Sequence, residues 1–321
     1  MKIIITGCLG FIGSHFTRYC LEKGHEVLGI DCGTYAANFD LSSEFLDYKN
    51  FSFKGKDIND LTCDEIGGWN FLINFAAESH VDNSIANSTD FIESNISGVC
   101  NILDCLKLIP KDARPFFIQI STDEVYGDSY HKSTPGSTLH PSNPYAATKA
   151  SADMLVKAWS RTYDIDYFIV RMTNNYGPGQ HKEKLIPKTF HCFTRDLKLP
   201  LHNKGKPIRD WLHVLDTCDG IYKLLSVTEE YKNTIWHFAG GDERRNIDTV
   251  YIIMNAIFPG SCVSKKTLVE SSFWLDFSYS RPGQDKRYRI SDKKTRDALG
   301  WKPKRNFEEE IQKMAEEYKN G

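Results

Sequence analysis

The sequence predicts an α/β fold of the Rossmann type, in which a doubly wound parallel sheet is joined to a smaller, loop-rich α/β substrate lobe. Three observations predict it. The chain opens with an apolar strand, a glycine-rich turn, a helix and a second strand closed by an acid. Short apolar runs then alternate with helical patterns as far as about Thr173, as in a parallel sheet. Beyond that residue, prolines break up a loop-rich region that we assign to the second lobe.

The first unit has a strand over Lys2–Thr6, a helix over Phe11–Lys23 and a second strand over Glu26–Ile30, which Asp31 closes. The glycines between strand and helix are spaced GxxGxxG: Gly7, Gly10 and Gly13. Such glycines let the backbone approach a pyrophosphate, and free N–H groups at the helix start favour the anion. Asp31 would accept hydrogen bonds from an adenosine ribose and repel a 2′-phosphate, so the pattern favours NAD over NADP. The alternative is an ordinary tight turn between a strand and a helix.

The remaining strands are expected in four apolar runs with helices between them. The runs are Phe51–Phe53, Phe71–Phe75, Phe116–Ile120 and Tyr167–Val170, and the clearest helices are Asp90–Leu108 and Pro144–Thr162. A strand end followed by a helix is expected again over Asp210–Leu225. We therefore expect residues 1–173 to form a NAD-binding Rossmann domain, to which the chain returns around residues 210–240. Residues 174–321 are expected to form an interleaved substrate-binding lobe.

Polar side chains follow the run Phe116–Ile120, at the edge where open parallel sheets bind ligands. Thr122, Asp123 and Glu124 place a hydroxyl and two carboxyls in consecutive positions there. Two adjacent carboxyls suggest proton transfer beyond a simple hydride step, provided that one is neutral and the other ionised. The alternative for either acid is a structural carboxylate that binds a backbone amide.

Tyr145 and Lys149 lie four residues apart, so on a helix they share one face. Asn143 and Pro144 suit the cap and first position of that helix. A free tyrosine has a pKa of about 10, and a nearby ammonium group favours its phenolate. Tyr145 could then take a proton from a substrate hydroxyl while a hydride leaves the same carbon for NAD⁺. In isolation the same spacing often marks a solvated helix face.

Composition excludes several classes of protein. The 321 residues carry a formal net charge of −2, from 40 basic and 42 acidic residues, without long runs of either sign. This balance argues against nucleic acid or an anionic membrane as the main partner. The nine cysteines form no CxxC pair, so we expect neither a metal site nor a disulfide framework, and a cytoplasmic location fits best.

These motifs match a known family. TGCLGFIGSH, NFAAESHVDNSI, FIQISTDEVYGD, NPYAATKASAD, NNYGP, RDWLHVLD and RPGQDKRY run through nearly the whole chain. With them the chain resembles the extended short-chain dehydrogenase/reductases, and within these the nucleotide-sugar 4,6-dehydratases, particularly dTDP-glucose 4,6-dehydratase. The resemblance implies a tightly held NAD⁺ that is regenerated in each cycle. It also implies a nucleoside-diphosphate hexose substrate (dTDP-glucose, UDP-glucose or UDP-N-acetylglucosamine) and a 4-keto-6-deoxy product, as in an NAD-dependent hydro-lyase.

The resemblance also implies roles for individual residues. Tyr145 is the base at the 4-hydroxyl, and Lys149 tunes it and holds the nicotinamide ribose. Thr122 binds the sugar O4, Glu124 removes the C5 proton, and Asp123 protonates the departing 6-hydroxyl. Further cofactor positions are Phe11, Ile12, Asp31, Asp57, Ile58, Ala76, Ala77 and Asn175. Further substrate positions are Ser79, Asn174, Lys184, Leu185, Arg209, Asn246 and Arg281.

The chain departs from the family pattern in the substrate lobe. The family usually has an aromatic residue and a proline just before EKLIP, where this chain has Gln180, His181 and Lys182. The usual histidine of the DRPGHD motif is Gln284, and the usual arginine after SHVD is Asn83. The choice of thymine or uracil, and of glucose or an N-acetylhexosamine, therefore stays open.

Three other functions remain as alternatives. A nucleotide-sugar 4-epimerase would share everything except the use of the acid pair. A dehydratase could also epimerise C5, because the C5 carbanion can be reprotonated on the other face. A catalytically silent NAD(H)-binding regulator could keep the fold. A homodimer is expected on family grounds, through helices Asp90–Leu108 and Pro144–Thr162.

Overall fold

The computed structural model describes residues 1–261, 263–270 and 273–320. The strands are β1 (Lys2–Thr6), β2 (Glu26–Asp31), β3 (Phe51–Gly55), β4 (Phe71–Asn74), β5 (Phe116–Thr122), β6 (Tyr167–Met172), β7 (Asn174–Tyr176), β8 (Leu199–Pro200), β9 (Ile208–His213), β10 (Thr234–Phe238), β11 (Glu243–Arg245) and β12 (Leu275–Asp276). The helices are α1 (Phe11–Glu22), α2 (Asp40–Leu46), α3 (Cys63–Ile66), α4 (Val81–Ala86), α5 (Thr89–Ile92), α6 (Gly98–Leu108), α7 (Pro144–Tyr163), α8 (Leu185–Phe193), α9 (Val214–Leu224), α10 (Thr228–Tyr231), α11 (Asn246–Ile257), α12 (Lys265–Glu270), α13 (Lys293–Leu299) and α14 (Phe307–Asn320). Short helical turns lie at Ile58–Asp60, Glu93–Ser97, Asp123–Tyr126 and His202–Gly205.

The large sheet confirms the predicted Rossmann-type fold. Its seven strands are in the order β10-β6-β5-β4-β1-β2-β3, and every neighbouring pair is parallel. Ile3, Ile4 and Ile5 of β1 are fully buried, as expected for a strand that is covered by helices on both faces. Because the order reverses between β1 and β4, a crevice opens at the carboxyl ends of these strands.

The predicted strands and helices of this sheet are confirmed, with differences at their ends. Strand β5 runs two residues further than expected, because Ser121 and Thr122 continue the pairing with β6. The helix expected over Asp90–Leu108 is continuous but contains a π-helical turn at Glu93–Ser97, between α5 and α6. The predicted helix start at α7 is also confirmed, because the Asn143 side chain accepts a hydrogen bond from the amide of Ala146.

The later part of the chain contributes both to the large sheet and to smaller sheets outside it. Strand β10 pairs with β6 at the edge of the large sheet, and α9 packs on α1. Strands β7, β9 and β11 form a separate three-stranded sheet, and β8 pairs with β12. Helices α8, α11 and α14 pack on one another around a second apolar core. The domain boundaries given above stay a prediction.

Within the described residues, no helix combines the length and the apolar character that crossing a bilayer requires.

Candidate active site

The polar cluster lies where β5 ends. Thr122 is the last residue of β5 and caps the helical turn Asp123–Tyr126, because its hydroxyl accepts a hydrogen bond of 3.3 Å from the amide of Glu124. This turn buries Asp123 and leaves Glu124 half-buried. The two adjacent carboxyls therefore have different environments.

Helix α7 brings Tyr145 and Lys149 to the same place. Both side chains are buried, and Nζ of Lys149 donates a hydrogen bond of 2.7 Å to the carbonyl oxygen of Ile120 in β5. Burial lowers the pKa of Lys149 to about 8, although the negative charge of Asp153 opposes this shift. Burial and the nearby carboxylate of Glu124 raise the pKa of Tyr145.

Asp123 has the properties of a carboxylic acid that stays protonated. Burial, followed by the charge of Glu124, raises its pKa well above the usual range of an aspartate. Its Oδ1 accepts a hydrogen bond of 3.4 Å from Thr122, whereas its Oδ2 is buried without a partner in the described part of the chain. Glu124 instead accepts a hydrogen bond of 3.2 Å from the hydroxyl of Tyr288. The pair can therefore provide one proton donor and one proton acceptor.

A buried ionic network supports α7 from behind. Asp153, one helical turn after Lys149, accepts hydrogen bonds from Nε of Arg171 at 2.8 Å and from the hydroxyl of Ser121 at 3.0 Å. Arg171 also donates to the hydroxyl of Tyr126. Asp153 and Arg171 are 0% and 1% exposed, so their charges are paired away from water. This network joins β5, β6 and α7 directly under the cluster.

The glycine turn after β1 builds a crevice for a ligand backbone. Gly7 has a positive φ of 68°, and a Cβ on it would lie 2.7 Å from the amide nitrogen of Ala76. A Cβ on Gly13 would lie 2.0 Å from the carbonyl oxygen of Gly7. Both positions thus require glycine. In the described part of the chain no side chain caps α1, so the first N–H groups of this helix stay available to an anion.

The acid after β2 lies at the far end of this crevice. Asp31 accepts hydrogen bonds of 2.9 Å from the amides of Leu9 and Gly33, and burial raises its pKa. Each carboxylate oxygen has a second lone pair, so Asp31 can still accept bonds from a ligand hydroxyl. Asp57 similarly accepts a bond of 2.8 Å from the amide of Asn59 and lines the same crevice.

Three contiguous cavities run along this edge of the protein. The glycine-side cavity is lined by Gly7, Gly10, Asp31, Asp57, Ile58, Ala76 and Ala77, among others. The central cavity shares Gly7, Gly10 and Ala77 with it and also contains Phe11, Ile12, Gly13, Thr122, Asp123, Tyr145 and Lys149. The arginine-side cavity shares Ser79, Glu124, Asn174, Asn175 and Lys184 with the central cavity and continues to Leu185, Arg209, Asn246 and Arg281. Every site residue expected from the sequence therefore lines one of these cavities.

The arginine-side cavity is cationic, and only some of its polar atoms have hydrogen-bond partners among the described residues. Arg209 donates to the carbonyl oxygens of Ile208 at 2.7 Å and Asp285 at 3.2 Å, and stacks over Tyr288 at 4.3 Å. Lys184 donates to the carbonyl oxygen of Ser79 at 2.9 Å, and burial lowers its pKa. Four cavity-lining side chains hold a buried oxygen without a hydrogen-bond partner among the described residues: Asp123, Asn174, Gln180 and Asn246. Such atoms indicate a polar ligand.

Several cavity residues were not expected from the sequence. Tyr288, Trp211, Asp82 and Gln284 line the arginine-side cavity. Asp82 lies inside the SHVD run, so its motif could have pointed to it. Tyr288 ends the RPGQDKRY run, so its motif could also have pointed to it. Its contact with Glu124 has no local signal, because a bridge between Arg287 and Ile208 of β9 brings the two residues together.

Two of the departures from the family pattern meet at the mouth of the cavities. The side chain of Asn83 donates a hydrogen bond of 3.2 Å to the hydroxyl of Tyr35. Tyr35 packs edge-on against the ring of His181, with ring centroids 5.4 Å apart, and its hydroxyl donates a bond of 3.3 Å to Glu183. These positions therefore form one contact between the loop after β2 and the segment before α8.

Known proteins resemble the chain over its whole length. The sequence model for GDP-mannose 4,6 dehydratase matches residues 4–314. A low-salt glycan biosynthesis protein, Agl12 of Haloferax volcanii, is 37% identical over 322 residues, which cover 99% of this chain and 98% of that protein. A dTDP-glucose 4,6-dehydratase of Escherichia coli is 37% identical over 342 residues, with 99% and 92% covered. The crystal structure of DesIV, a dTDP-glucose 4,6-dehydratase of Streptomyces venezuelae solved with NAD bound, superposes with a TM-score of 0.90 at 34% identity, covering 100% of this chain and 98% of that one.

Proposed function

The chain belongs to the GDP-mannose 4,6 dehydratase family, and we propose that it is an NAD-dependent nucleotide-sugar 4,6-dehydratase. The reaction converts a nucleoside-diphosphate hexose into the 4-keto-6-deoxy sugar nucleotide and water. The observation that carries this proposal is the acid pair. Asp123 is buried, its Oδ2 has no partner among the residues that the structure describes, and Glu124 lies beside it in the cavity that holds Tyr145 and Lys149. A 4-epimerase does not need these acids, so the pair favours dehydration.

The glycine crevice and Asp31 fit NAD. Gly7 and Gly13 have no room for a Cβ, no described side chain caps the start of α1, and Asp31 lies beyond them at the end of β2. The two glycines and the start of α1 suit a pyrophosphate, and the carboxylate of Asp31 suits a ribose that carries two hydroxyls. Bound NAD supplies a hydride acceptor for C4 of the sugar and a hydride donor for C6.

Tyr145 acts as the base in the oxidation of C4. It removes the proton of the 4-hydroxyl, and the Thr122 hydroxyl, which lines the same cavity as Tyr145, orients the same oxygen. Burial raises the pKa of Tyr145, so its action as a base depends on the ammonium group of Lys149, one helical turn away, which stabilises the phenolate electrostatically. Lys149 has one hydrogen bond to Ile120, which leaves two N–H donors for the ribose of the cofactor.

The acid pair acts on the resulting ketone. The 4-keto group acidifies the C5–H, so Glu124 can remove that proton. Asp123, kept neutral by burial, gives its proton to the 6-hydroxyl, which leaves as water. Glu124 then returns its proton to C5 when a hydride reaches C6. The net change is the loss of one water molecule from the hexose.

The arginine-side cavity receives the nucleoside diphosphate. Arg209 and Arg281 supply guanidinium groups for the two phosphates, and Lys184 adds an ammonium group. Asn174 and Asn246 each offer a buried side-chain oxygen to a polar group of the substrate. We propose dTDP-glucose as the first substrate to test, since the dehydratases above are named for it.

Product analysis tests the function directly. The protein is incubated with dTDP-glucose, UDP-glucose and UDP-N-acetylglucosamine, and products are identified by mass spectrometry and NMR. A dehydratase yields a product lighter by one water, and the NMR spectrum reports whether C5 has kept its configuration. A C4 epimer as the only product, or unchanged turnover in the double variant Asp123→Asn/Glu124→Gln, would refute the assignment. Extraction of the bound cofactor from the purified protein identifies NAD or NADP.

A homodimer through α5–α7 is a further part of this proposal. Ile92 on α5 and Met154 on α7 are 46% and 54% exposed, on helices that pack against each other. Burial of such apolar side chains would favour pairing of these helices across a two-fold axis. Light scattering should give twice the chain mass for the wild type, and Met154→Lys should shift the protein toward a monomer. A wild-type monomer at micromolar concentration would contradict the proposal.

A further inference from the structure

Asp82 and Arg281 join the two sides of the arginine-side cavity. Asp82 lies on α4, after strand β4 of the large sheet, whereas Arg281 follows β12 in the other lobe. Nε of Arg281 donates to Oδ1 of Asp82 at 2.6 Å, and Nη2 donates to Oδ2 at 2.8 Å. Both residues line the cavity. The contact is therefore a bidentate ion pair across the proposed substrate site.

The pair fixes which edge of the guanidinium faces other groups. Asp82 takes the edge formed by Nε and Nη2, and Nη1 donates a bond of 3.3 Å to the side chain of Gln284. A guanidinium group has five N–H donors. Two of the five, one on Nη1 and one on Nη2, therefore have no acceptor among the described residues. Both can be offered to phosphate oxygens.

Arg209 is held in a different way. Its two Nη atoms donate to the neutral carbonyl oxygens of Ile208 and Asp285, and Tyr288 supports its face. It is 8% exposed and needs no carboxylate to fix its orientation. Arg281 is less buried, with 20% of its side chain exposed, and its bidentate acceptor comes from the opposite lobe. The orientation of Arg281 thus depends on Asp82 far more than on its own lobe.

The negative charge of Asp82 has two opposing effects on a diphosphate. His202, whose Nε2 lies 3.6 Å from Oδ2, and the hydrogen bonds from Arg281 hold the pKa of Asp82 well below its usual range, so the carboxylate stays ionised at neutral pH. Its charge repels the phosphate, but the same charge keeps a long, flexible side chain in a binding orientation. Preorganisation of this kind offsets the entropy that would be lost on binding. Because the ion pair is bidentate, we expect its effect on the orientation of Arg281 to outweigh the repulsion of the phosphate.

We infer that Asp82 is a positioning residue for diphosphate binding, which it supports by holding Arg281 with its two free N–H groups toward the ligand. This inference rests on the proposed function only for the identity of the ligand, a nucleoside diphosphate. It assigns Asp82 no part in the chemical steps.

Binding and turnover of Asp82→Asn test the inference. Calorimetric titration with TDP and with UDP, which needs no turnover, should give dissociation constants about tenfold higher than in the wild type. KM for the sugar nucleotide should rise by a similar factor, and kcat should stay within about twofold. Asp82→Glu should recover part of the affinity. Asp112→Asn removes a carboxylate of an exposed residue that lines none of the three cavities, and it should change none of these values.

A double-variant comparison separates positioning from direct contact. If Asp82 acts only through Arg281, adding Asp82→Asn to Arg281→Ala should not weaken TDP binding further. Losses that multiply in the double variant would overturn the inference, and so would tighter or unchanged binding of both diphosphates by Asp82→Asn. Thermal melting of each variant shows whether the fold is kept, and Asp82→Glu serves where Asp82→Asn is unstable. A wild type that binds these diphosphates but turns over no sugar nucleotide would refute the proposed function and leave the role of Asp82 standing.

Discussion

The hydroxyl of Tyr288 donates a hydrogen bond of 3.2 Å to Oε2 of Glu124 across 164 residues of chain. Asp123, the neighbour of Glu124, is 2% exposed, and the described residues provide no such donor for its Oδ2. The two consecutive carboxyls therefore have different environments. The carboxyl of Glu124 is hydrogen-bonded at a cavity wall, whereas the carboxyl of Asp123 is desolvated. Separate environments of this kind are what an acid and a base need at one pH.

Replacing Asp123 and replacing Glu124 should impair different steps of the reaction. In D₂O with dTDP-glucose, Glu124→Gln should lose both product and deuterium incorporation at C5, because no base remains. Asp123→Asn should lower product formation by a factor of about 10²–10⁴, the usual contribution of a general acid, yet still exchange the C5 proton. NMR of the recovered substrate and product measures both quantities. Equal loss of C5 exchange in the two variants would contradict the assigned roles.

Tyr288→Phe should impair catalysis without impairing binding. The change removes only the hydroxyl, so the ring still supports the guanidinium of Arg209 at 4.3 Å. A hydrogen bond to a charged group stabilises by about 1.5–3 kcal/mol, so we expect kcat to fall by roughly tenfold or more. KM should change little. Tyr130→Phe, at a tyrosine that is 73% exposed, is the matched control. A rise in KM with unchanged kcat would show that Tyr288 serves substrate binding instead.

Local signals in the sequence predicted the fold and the central part of the site. The strand–glycine–helix unit and the spacing of Tyr145 and Lys149 depend on residues close together in the chain, so pattern and capping rules reach them. Strand β5 is two residues longer than the apolar run that predicts it. Ser121 and Thr122 look like loop residues, although they pair with β6. Tertiary pairing overrides composition at such positions.

Contacts between distant segments could not be predicted in the same way. Arg281 was expected at the substrate site from its motif, but its pairing with Asp82 joins residues 199 positions apart. The Tyr35 contact with His181 likewise brings together two loops that have no periodicity of their own. Such contacts follow from how the lobes pack, and no local pattern encodes that packing.

The pH dependence of activity should have a basic limb near pH 8. Burial lowers the pKa of Lys149 from 10.5 to about 8, so its ammonium group is lost as the pH rises above that value. Tyr145 then loses the positive charge that favours its phenolate, and kcat should fall. The stability contribution has the opposite sign. Between pH 8 and 10.5 the Lys149 side chain is protonated in the unfolded chain and neutral in the folded protein. Its contribution to the free energy of unfolding should therefore increase as the pH rises.

The two trends separate a catalytic limb from denaturation. Activity and the urea midpoint are measured on the same samples across this range. Lys149→Met should lower kcat at every pH and remove the Lys149 contribution to the rise in stability. A midpoint that falls together with the activity of the wild type would assign the limb to unfolding.

The buried pair Asp153–Arg171 should be the most costly ion pair to break. Both side chains are within 2% of full burial, and Nε of Arg171 lies 2.8 Å from Oδ2 of Asp153. Removing one charge leaves the other desolvated and unpaired, which typically costs about 3–5 kcal/mol. We therefore expect Asp153→Asn to lower the free energy of unfolding by that amount, as measured by urea denaturation. The more exposed pair Arg18–Glu44 has the same distance of 2.8 Å between Nε and a carboxylate oxygen, so Glu44→Gln is the control and should cost less than about 1 kcal/mol.

Asp153→Asn should also move the basic limb of activity. The carboxylate of Asp153 raises the pKa of Lys149, so its loss should shift the limb to lower pH. Replacing both partners, as in Asp153→Leu/Arg171→Met, should recover much of the lost stability because no unpaired charge stays buried. It should not restore the position of the limb, since the carboxylate is still absent. If the double variant recovered both properties, Asp153 would act on Lys149 only through packing, and the electrostatic link between the network and the active site would be wrong.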